Sequence, residues 1–486
     1  MRYSLIWLLA LLLQAGPALA EPQLQAWPAW QGLARIGHSS EVELLLTNYP
    51  AGKVQLATAS ASHRFEQSIE LSGAAAIKLQ LPFVADVGGT ITVTAAYADG
   101  TASRQQLRLQ LIEPTRPLRV SAVRAPAQEY LLSAPEGLLH TAPDSLPHLA
   151  MGYAGVTTLV LDSATLNQLL PEQRQALREF VATCGRLYLL NTSTAQTGEL
   201  QRYAGCGGKT VAAFTHWQQA SNTVTPRPAW SRDAINALAR LAADSAPMHP
   251  AMLPLSLLLG GYLLGLLVLL GLKTQRRWLL GWVVLITALA IGGWWQRPPL
   301  RTALSWSEMQ INDPVAQTTR ILDLAGRGRW RGQQALLEPT TAPQAISANA
   351  SVTTIAIGAN GMALELATQL FSRQQLSYQR YRFIDPQLEL GMRAARPYLV
   401  NHSSETLPAA VLWWNQEFFA IPALAPGAEW QIGNSSGIAG ARPLLQMMHQ
   451  RLANTPLALL INLPAEEPNR HWLLLRSPAI AAGPTI

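Results

Sequence analysis

Apolar and polar residues alternate along the first part of the chain, with apolar side chains at every second position. The alternation is clearest over residues 42–46 and 91–95, and turn-forming pairs such as Asp99-Gly100 separate these stretches. A period of two places alternate side chains on one face of a β-strand. Short strands divided by frequent turns predict a β-sandwich of immunoglobulin-like type over residues 21–114.

The pattern changes after residue 114, where short apolar runs alternate with a helical stripe. Residues 157–161 and 186–190 are short segments that become apolar after a polar start, and they predict buried strands. Between them, Pro171 opens a segment whose apolar residues follow helical spacing, and Gly185 marks its end. Because strands that alternate with helices are typical of a parallel sheet, residues 115–249 predict an α/β unit of flavodoxin-like type.

Two longer apolar runs, residues 252–272 and 278–295, contain no charged side chain. Each is long enough for a helix to cross a hydrocarbon layer of roughly 30 Å. The five residues between them, 273–277, carry three positive charges, which predicts that this loop faces the cytoplasm. The sequence therefore predicts a two-helix transmembrane hairpin in a lipid bilayer. Both globular halves would then lie on the opposite side, and we expect them to contact each other.

The N-terminus has the features of a secretory signal. Arg2 precedes an apolar run at residues 5–13, and Ala18-Leu19-Ala20 forms a small-residue cleavage site. We expect residues 1–20 to be a signal peptide, with an uncleaved anchor as the alternative. Together with the hairpin, this predicts a bacterial inner-membrane protein whose N- and C-terminal domains are periplasmic.

The C-terminal region, residues 297–486, is again rich in strand patterns. Apolar or alternating runs occur at residues 353–357, 409–414 and 457–463, and one helical stripe spans 442–452. These features predict a periplasmic β-rich, sandwich-like domain with one late helix.

The net charge of +7 does not by itself identify a partner. A basic chain often binds nucleic acid, but export from the cytoplasm excludes that partner here. The Arg-rich segment offers an interaction patch made of Arg327, Arg329, Trp330 and Arg331. An anionic lipid, glycan or acidic protein of the envelope would suit it. A solvated hairpin turn is the alternative that we prefer.

Cys184 and Cys206 are the only cysteines in the sequence. An even count in an exported protein favours a disulfide between them. Free structural thiols are one alternative. A nucleophilic Cys206 is another, because this residue lies in a glycine turn, but His216 is the only histidine near it in sequence.

Other candidate sites are weak. Asp162-Ser163 follows a strand in a way that resembles a von Willebrand A-type metal motif, but the hydroxyl residues that should bind the ion are missing, so Ser163 is expected to cap a helix. His140, Asp144 and His148 lie in a proline-containing stretch without metal-ligand spacing. We predict neither a metal nor a cofactor.

Residues 153–162, 171–173 and 176–181, followed by Gly185, resemble a membrane-associated class I glutamine-amidotransferase-like domain. Active members of that family use a cysteine nucleophile on a sharp turn and a later His-x-Glu pair. No His-x-Glu occurs in this chain. The resemblance therefore implies a catalytically degenerate copy. By analogy, it also implies envelope partners from systems with MoxR-type ATPases and von Willebrand A-domain proteins.

These observations predict a non-enzymatic protein whose periplasmic domains act as a scaffold or as a binding or assembly factor in the cell envelope. Two alternatives stay open. One is a periplasmic cysteine-dependent amide hydrolase that uses Cys206. The other is a receptor for an envelope ligand, with its crevice at the strand ends near Asp162.

Overall fold

The computed structural model describes a little under two thirds of the chain. The described residues are 22–73, 76–124, 137–205, 211–214, 235–240, 262, 281, 300–310, 315–325, 330–336, 341–346, 353–358, 361–368, 373–383, 387–432, 448, 452, 455, 457–464 and 470–476. Strands account for 59% of them.

The N-terminal strands form two sheets around one apolar core. The first sheet has the order β1 (Gln23–Pro28), β3 (Ser39–Thr47) and β6 (Ile77–Val84). The second has the order β17 (Trp330–Leu336), β20 (Gly361–Thr368), β19 (Thr353–Gly358), β5 (His63–Leu71), β4 (Gly52–Ala59), β7 (Thr90–Tyr97) and β8 (Ala102–Arg108). Buried and partly exposed residues alternate strictly along β7, as the period of two in the sequence predicts. A short parallel pair, β2 (Leu33–Arg35) and β9 (Gln110–Ile112), completes this region.

The second sheet joins the two ends of the chain. Its β5 pairs in parallel with β19, so that His63 lies opposite Thr353. The imidazole Nε2 of His63 also lies 2.7 Å from the carbonyl oxygen of Pro343. The contact that the sequence led us to expect between the two halves is therefore a shared sheet.

A five-stranded parallel sheet lies between these segments in sequence. Its order is β11 (Leu138–His140), β10 (Leu118–Ala122), β12 (Val156–Asp162), β13 (Arg186–Leu190) and β14 (Val211–Phe214). The α-helices with defined bounds are α1 (Ser163–Gln168), α2 (Pro171–Ala182) and α3 (Thr194–Gln201). The apolar stripe of α2 that the sequence predicts is buried in one cluster with the sheet, including Leu177 and Phe180. Three short 3-10 helices are η1 (Ala29–Gly32), η2 (Pro143–Ser145) and η3 (Ala150–Tyr153).

The C-terminal region forms an eight-stranded sheet. Its order is β18 (Gln344–Ala345), β21 (Arg373–Phe383), β16 (Val315–Ala325), β15 (Leu300–Gln310), β28 (Arg470–Arg476), β27 (Leu457–Pro464), β24 (Ala410–Trp414) and β25 (Glu417–Ile421). A small sheet of β22 (Leu388–Arg393), β23 (Arg396–Asn401) and β26 (Glu429–Gln431) packs at one end.

One apolar cluster ties the three regions together. It contains Phe65 from β5, Met151 from η3, Leu322 from β16 and Tyr378 from β21. Phe65 is fully buried. Because a single cluster receives side chains from every region, the relative position of the regions is set by packing as well as by strand pairing.

The predicted fold class is wrong. It combined a flavodoxin-like α/β unit and a transmembrane hairpin with two sandwich-like domains. The described part of the chain is instead dominated by strands, and its α-helices are four short ones, namely α1, α2, α3 and residues 235–240. A flavodoxin-like unit carries helices on both faces of its sheet. Here the buried residues of α1, α2 and α3 join the cluster of Leu159 and Leu187, while Val160 and Tyr188 form a separate small cluster on the opposite face. The helical pattern in the sequence corresponds to α2, but its helices cover one face of the sheet only.

The prediction of a membrane protein with transmembrane helices is also contradicted. Within the described ranges, no helix combines the length and the apolar character that a bilayer crossing requires. Apart from residues 262 and 281, the predicted spans at 252–272 and 278–295 lie outside the described residues, as does the loop at 273–277. The prediction rested on the length and hydropathy of these runs and on the three positive charges between them. The predicted signal peptide at residues 1–20 also lies outside them.

Candidate binding cleft

A cleft of about 510 Å³ opens where the three regions meet. The N-terminal region contributes His38, and the parallel sheet contributes the amino ends of its strands. The C-terminal region contributes Thr341 and two residues of β21. No aspartate or glutamate is among the described residues that line this junction cleft.

The floor of the junction cleft is a row of three residues on adjacent strands. Arg119 on β10 lies opposite Thr158 on β12, and Thr158 lies opposite Arg186 on β13. Residues in register on neighbouring strands point to the same face of a sheet, so both arginines flank Thr158 on one face. Neighbouring strands are about 4.8 Å apart, which places the two arginine backbones about 10 Å apart.

The position of this row follows from the local sequence. Leu159 and Leu187 point into the core beneath the helices, so the residues before them, Thr158 and Arg186, point to the other face. Further along the same face, Val160 and Tyr188 form the small apolar cluster. The cationic row is therefore the polar amino-terminal edge of a face that becomes apolar toward the carboxyl ends.

His38 forms the wall that belongs to the N-terminal region, and Arg35 lies close enough to act on its charge. Burial, together with the positive charge of Arg35, lowers the pKa of His38 to about 4, so this imidazole is neutral at neutral pH. The Arg35 guanidinium donates hydrogen bonds to the carbonyl oxygens of Gly155, at 3.3 Å, and Pro114. Burial also lowers the pKa of Arg35 from its usual value. The guanidinium thus ties this wall to the parallel sheet and adds positive charge beside the cleft.

The opposite wall comes from β21. The hydroxyl oxygen of Thr341 accepts a hydrogen bond of 2.9 Å from the backbone N–H of Gln379. Tyr381 lies two residues further along β21 and shares the face of Gln379. This wall therefore presents hydroxyl, amide and phenol groups to the cleft.

A buried carboxylate fixes the segment that carries Tyr153, another residue of the junction cleft. Glu41, only 1% exposed, accepts backbone N–H bonds from His148 at 3.1 Å and Leu149 at 2.8 Å. Burial raises the pKa of Glu41 to about 7, although these two N–H groups act in the opposite direction. The indole N–H of Trp30 donates to the carbonyl oxygen of Gly152 at 3.1 Å. Glu41 and Trp30 of the N-terminal region thus hold η3 and the residues just before it in place.

A second cavity of about 600 Å³ lies between strands of the N-terminal region and the helices and loops that accompany the parallel sheet. Asp144 and His148 line it together with Lys78, whereas His140 does not. Among the described residues, no group of three or more histidine, cysteine, aspartate or glutamate side chains is arranged to hold a metal ion. Asp144 and His148 therefore share this cavity with the positively charged Lys78, and not with a third metal ligand.

Cys184 is disulfide-bonded. It follows the end of α2 in the left-handed region, with φ of 67°, and its backbone N–H donates to Val181. Cys206, the other cysteine of the sequence, lies outside the described residues, but Gly205 is described. A β-carbon placed on Gly205 would lie 3.3 Å from the Cys184 sulfur, so the chain returns to Cys184 directly before Cys206.

Asp162 caps a helix. Its carboxylate accepts backbone N–H bonds from Thr165 at 2.8 Å and Arg124 at 3.3 Å. The prediction that Ser163 is the capping residue was therefore off by one position, and Ser163 begins α1. Asp162 lines neither cavity described above.

The predicted Arg-rich patch is only partly described. Arg331 is exposed on β17, opposite Ala367 of β20. Arg327, Arg329 and the side chain of Trp330 lie outside the described residues. The hypothesis that this patch binds an anionic partner stays a prediction.

Neither a protein-family model nor a curated protein matches the chain. Among solved structures, the chain has a weak similarity to a Bacteroides ovatus GH5 xyloglucanase in complex with a XXXG heptasaccharide. The identity is 10% and the TM-score is 0.12, over 39% of this chain and 63% of that chain. The chain thus matches less than two thirds of that protein's length. The resemblance to amidotransferase-like domains stays a prediction.

The sequence did not reveal the junction cleft. Its cationic row requires the register of three strands, and its walls come from residues far apart along the chain, such as His38 and Tyr381. The only available signal was the presence of polar residues at the starts of two otherwise apolar strands, at Thr158 and Arg186. That signal locates a polar edge but does not say what lies across from it.

Proposed function

We propose that this chain is a non-enzymatic binding protein of the cell envelope, in which three regions form a scaffold around the junction cleft. The observation that carries the proposal is the composition of this cleft. All three regions contribute to it, and the described residues that line it offer cationic and neutral polar groups without a carboxylate. Such a lining favours recognition of a ligand over general acid–base chemistry.

The titration behaviour of His38 supports the same proposal. A general base is most effective when its pKa lies near the working pH. Burial and Arg35 lower the pKa of His38 to about 4, so the imidazole is a weak base and serves better as a neutral hydrogen-bonding group.

The state of Cys184 bears on both location and the hydrolase alternative. Disulfides persist in oxidising compartments, which supports an exported location. Cys206 is the only other cysteine, so an intrachain bond to Cys184 would consume the thiol that a Cys206 nucleophile needs. Thiol labelling of protein from intact cells tests this point, and a labelled Cys206 would favour the hydrolase.

Site-specific photocrosslinking in intact cells tests the binding proposal. A crosslinking amino acid would replace Thr115, an exposed residue that lines the junction cleft, and, as the control, Gln106, an exposed residue of β8 away from it. We expect discrete adducts from position 115 and none of the same mass from position 106. Identical adducts from both positions, or none from position 115, would contradict the proposal.

A further inference from the structure

The second cavity runs along one edge of strand β6. Three consecutive residues of this strand, Lys78, Leu79 and Gln80, all line the cavity. Successive side chains of a strand point to opposite faces of the sheet, so a cavity that touches all three lies beside the strand and not over one face. β3 pairs with one side of β6, and among the described strands no other pairs with it. The cavity therefore lies along the outer edge of β6.

The backbone of β6 presents hydrogen-bonding groups to this outer edge. The N–H of Ala85, the residue after β6, donates to the carbonyl oxygen of His38, the residue before β3. Backbone groups along an antiparallel strand point alternately toward the partner strand and away from it. Lys78 and Gln80 lie an odd number of positions from Ala85, so their N–H and C=O groups point away from β3. Pro82, which has no N–H to give to the ladder, falls in the same outward-pointing set.

The wall opposite β6 is held in place by hydrogen bonds. The side-chain carbonyl oxygen of Gln80 accepts the backbone N–H of His148 at 3.0 Å. Gln173, only 3% exposed, accepts the N–H of Leu170 at 3.1 Å and donates to the carbonyl oxygen of Leu146 at 2.8 Å. These bonds join β6, the segment before η3 and the start of α2. The cavity is therefore formed without a ligand, as is usual for binding sites.

The charged groups around the second cavity are predominantly acidic. Asp144 is exposed and lines the cavity, and Glu172 lies close enough to His148 to act on its charge. The ammonium nitrogen of Lys78 lies 2.9 Å from a carboxylate oxygen of Glu43, so its positive charge is already paired. Burial lowers the pKa of His148 from its usual value, so this imidazole adds no positive charge at neutral pH. Such a balance attracts a cationic group.

Aliphatic side chains supply the apolar part of the lining. Leu170 is 49% exposed at the start of α2, which is unusual for a large apolar side chain. Leu149 lies in the segment before η3, and Ile357 comes from β19, where it lies opposite Gln67 of β5. An aliphatic group of a ligand would cover these side chains from water.

We propose that the second cavity binds an extended peptide segment of a partner protein, which pairs with the outer edge of β6 and carries a lysine or arginine beside an aliphatic residue. Main-chain hydrogen bonds to Lys78 and Gln80 would provide affinity, and the alternating side chains would provide specificity. The basic side chain would lie toward Asp144 and the aliphatic one against Leu170. This site shares no lining residue with the junction cleft, so the inference goes beyond the proposed function.

Fluorescence anisotropy with the purified full-length protein tests the proposal. The probe is a fluorescein-labelled hexapeptide, Ser-Leu-Lys-Leu-Lys-Ser, and the comparison peptides replace both lysines with glutamate or with glutamine. We expect saturable binding of the lysine peptide, about tenfold or more tighter than that of the glutamate peptide, because the acidic groups repel glutamate. Failure of the lysine peptide to bind, or equal affinity for the glutamate peptide, overturns the inference.

Backbone methylation tests whether the peptide pairs as a strand. One copy of the lysine peptide is N-methylated at both leucines and another at both lysines. Only alternate N–H groups of a strand point toward its neighbour, so we expect one copy to keep its affinity and the other to lose about tenfold or more. Equal behaviour of the two copies would show that the bound peptide does not pair with β6, and the inference would fail.

Matched variants locate the binding. Asp144→Asn should weaken the lysine peptide about two- to fivefold, since an exposed ion pair contributes little, and should leave the glutamine peptide unchanged. Asp99→Asn removes the same charge from an exposed turn outside the cavity and should change neither. Equal losses in both variants, or an equal loss for both peptides, overturn the inference. Adducts from position 115 without binding of the lysine peptide would leave the proposed function standing and refute this inference alone.

Discussion

Replacing Glu41 with glutamine should change how the stability of the protein depends on pH. Glu41 is 1% exposed, and its carboxylate oxygens accept N–H groups of His148 and Leu149. Burial raises its pKa in the folded protein from an ordinary value of 4.5 to about 7. In the unfolded chain, where water surrounds the side chain, the carboxyl group ionises near its ordinary value.

The magnitude follows from the difference between the two pKa values. Between about pH 4.5 and pH 7 the folded protein retains a proton on Glu41 that the unfolded chain has released. Stability must therefore fall as pH rises through this window, and it is greatest below it. At about 1.4 kcal/mol per pKa unit, the free energy of unfolding contributed by Glu41 declines by about 3 kcal/mol.

Urea unfolding followed by tryptophan fluorescence, repeated from about pH 4 to pH 8, measures this decline. Glu41→Gln keeps the shape and one acceptor oxygen but cannot ionise, so the difference between wild type and variant isolates the titration of Glu41. Glu113→Gln, at an exposed position, is the control and should follow the wild-type curve. Parallel curves for wild type and Glu41→Gln would refute the reasoning, because they would mean that burial does not shift this carboxyl group.

Three further changes test how local features contribute to the fold. Gly185→Ala should destabilise the folded protein by about 1–3 kcal/mol, since the new β-carbon would lie 2.3 Å from the Phe180 ring. Gly198→Ala within α3 is the control: its β-carbon meets nothing within 4 Å, and alanine favours a helix, so this change should stabilise the protein by up to about 1 kcal/mol. Equal effects in urea unfolding would contradict this packing argument. Asp162→Ala removes a helix cap and should cost about 1 kcal/mol, with Asp162→Asn retaining most of the stability. Reduction of the disulfide at Cys184 should lower the unfolding midpoint by an amount equivalent to about 3 kcal/mol, and an unchanged midpoint would exclude a stabilising role.

Local structure was predictable where a single periodicity decides it. The alternation at residues 91–95 corresponds to β7, and the short segments at 157–161 and 186–190 correspond to β12 and β13. Pro171 begins α2 as its fixed backbone angle favours. In each case the residues that choose the structure lie within a few positions of each other.

The arrangement of these elements was not predictable in the same way. The pattern of a strand predicts which of its faces is buried, but it does not predict which strand pairs with it in the sheet. The pairing of β5 with β19 and the register that aligns Arg119 with Thr158 both depend on the whole fold. Hydropathy and helical spacing therefore led to too much helix in the expected fold class, and the junction cleft was missed entirely.

The shared sheet also affects the chain while it is being synthesised, because its strands come from distant parts of the sequence. His63 and Pro343, which contact each other through the imidazole, are 280 positions apart. At a synthesis rate of roughly 5–20 residues per second, β5 would wait on the order of tens of seconds before β19 exists. During that time one edge of β5 offers unpaired backbone groups to any neighbouring strand, a state that promotes aggregation. The N-terminal half should therefore depend on a chaperone until the last third of the chain arrives.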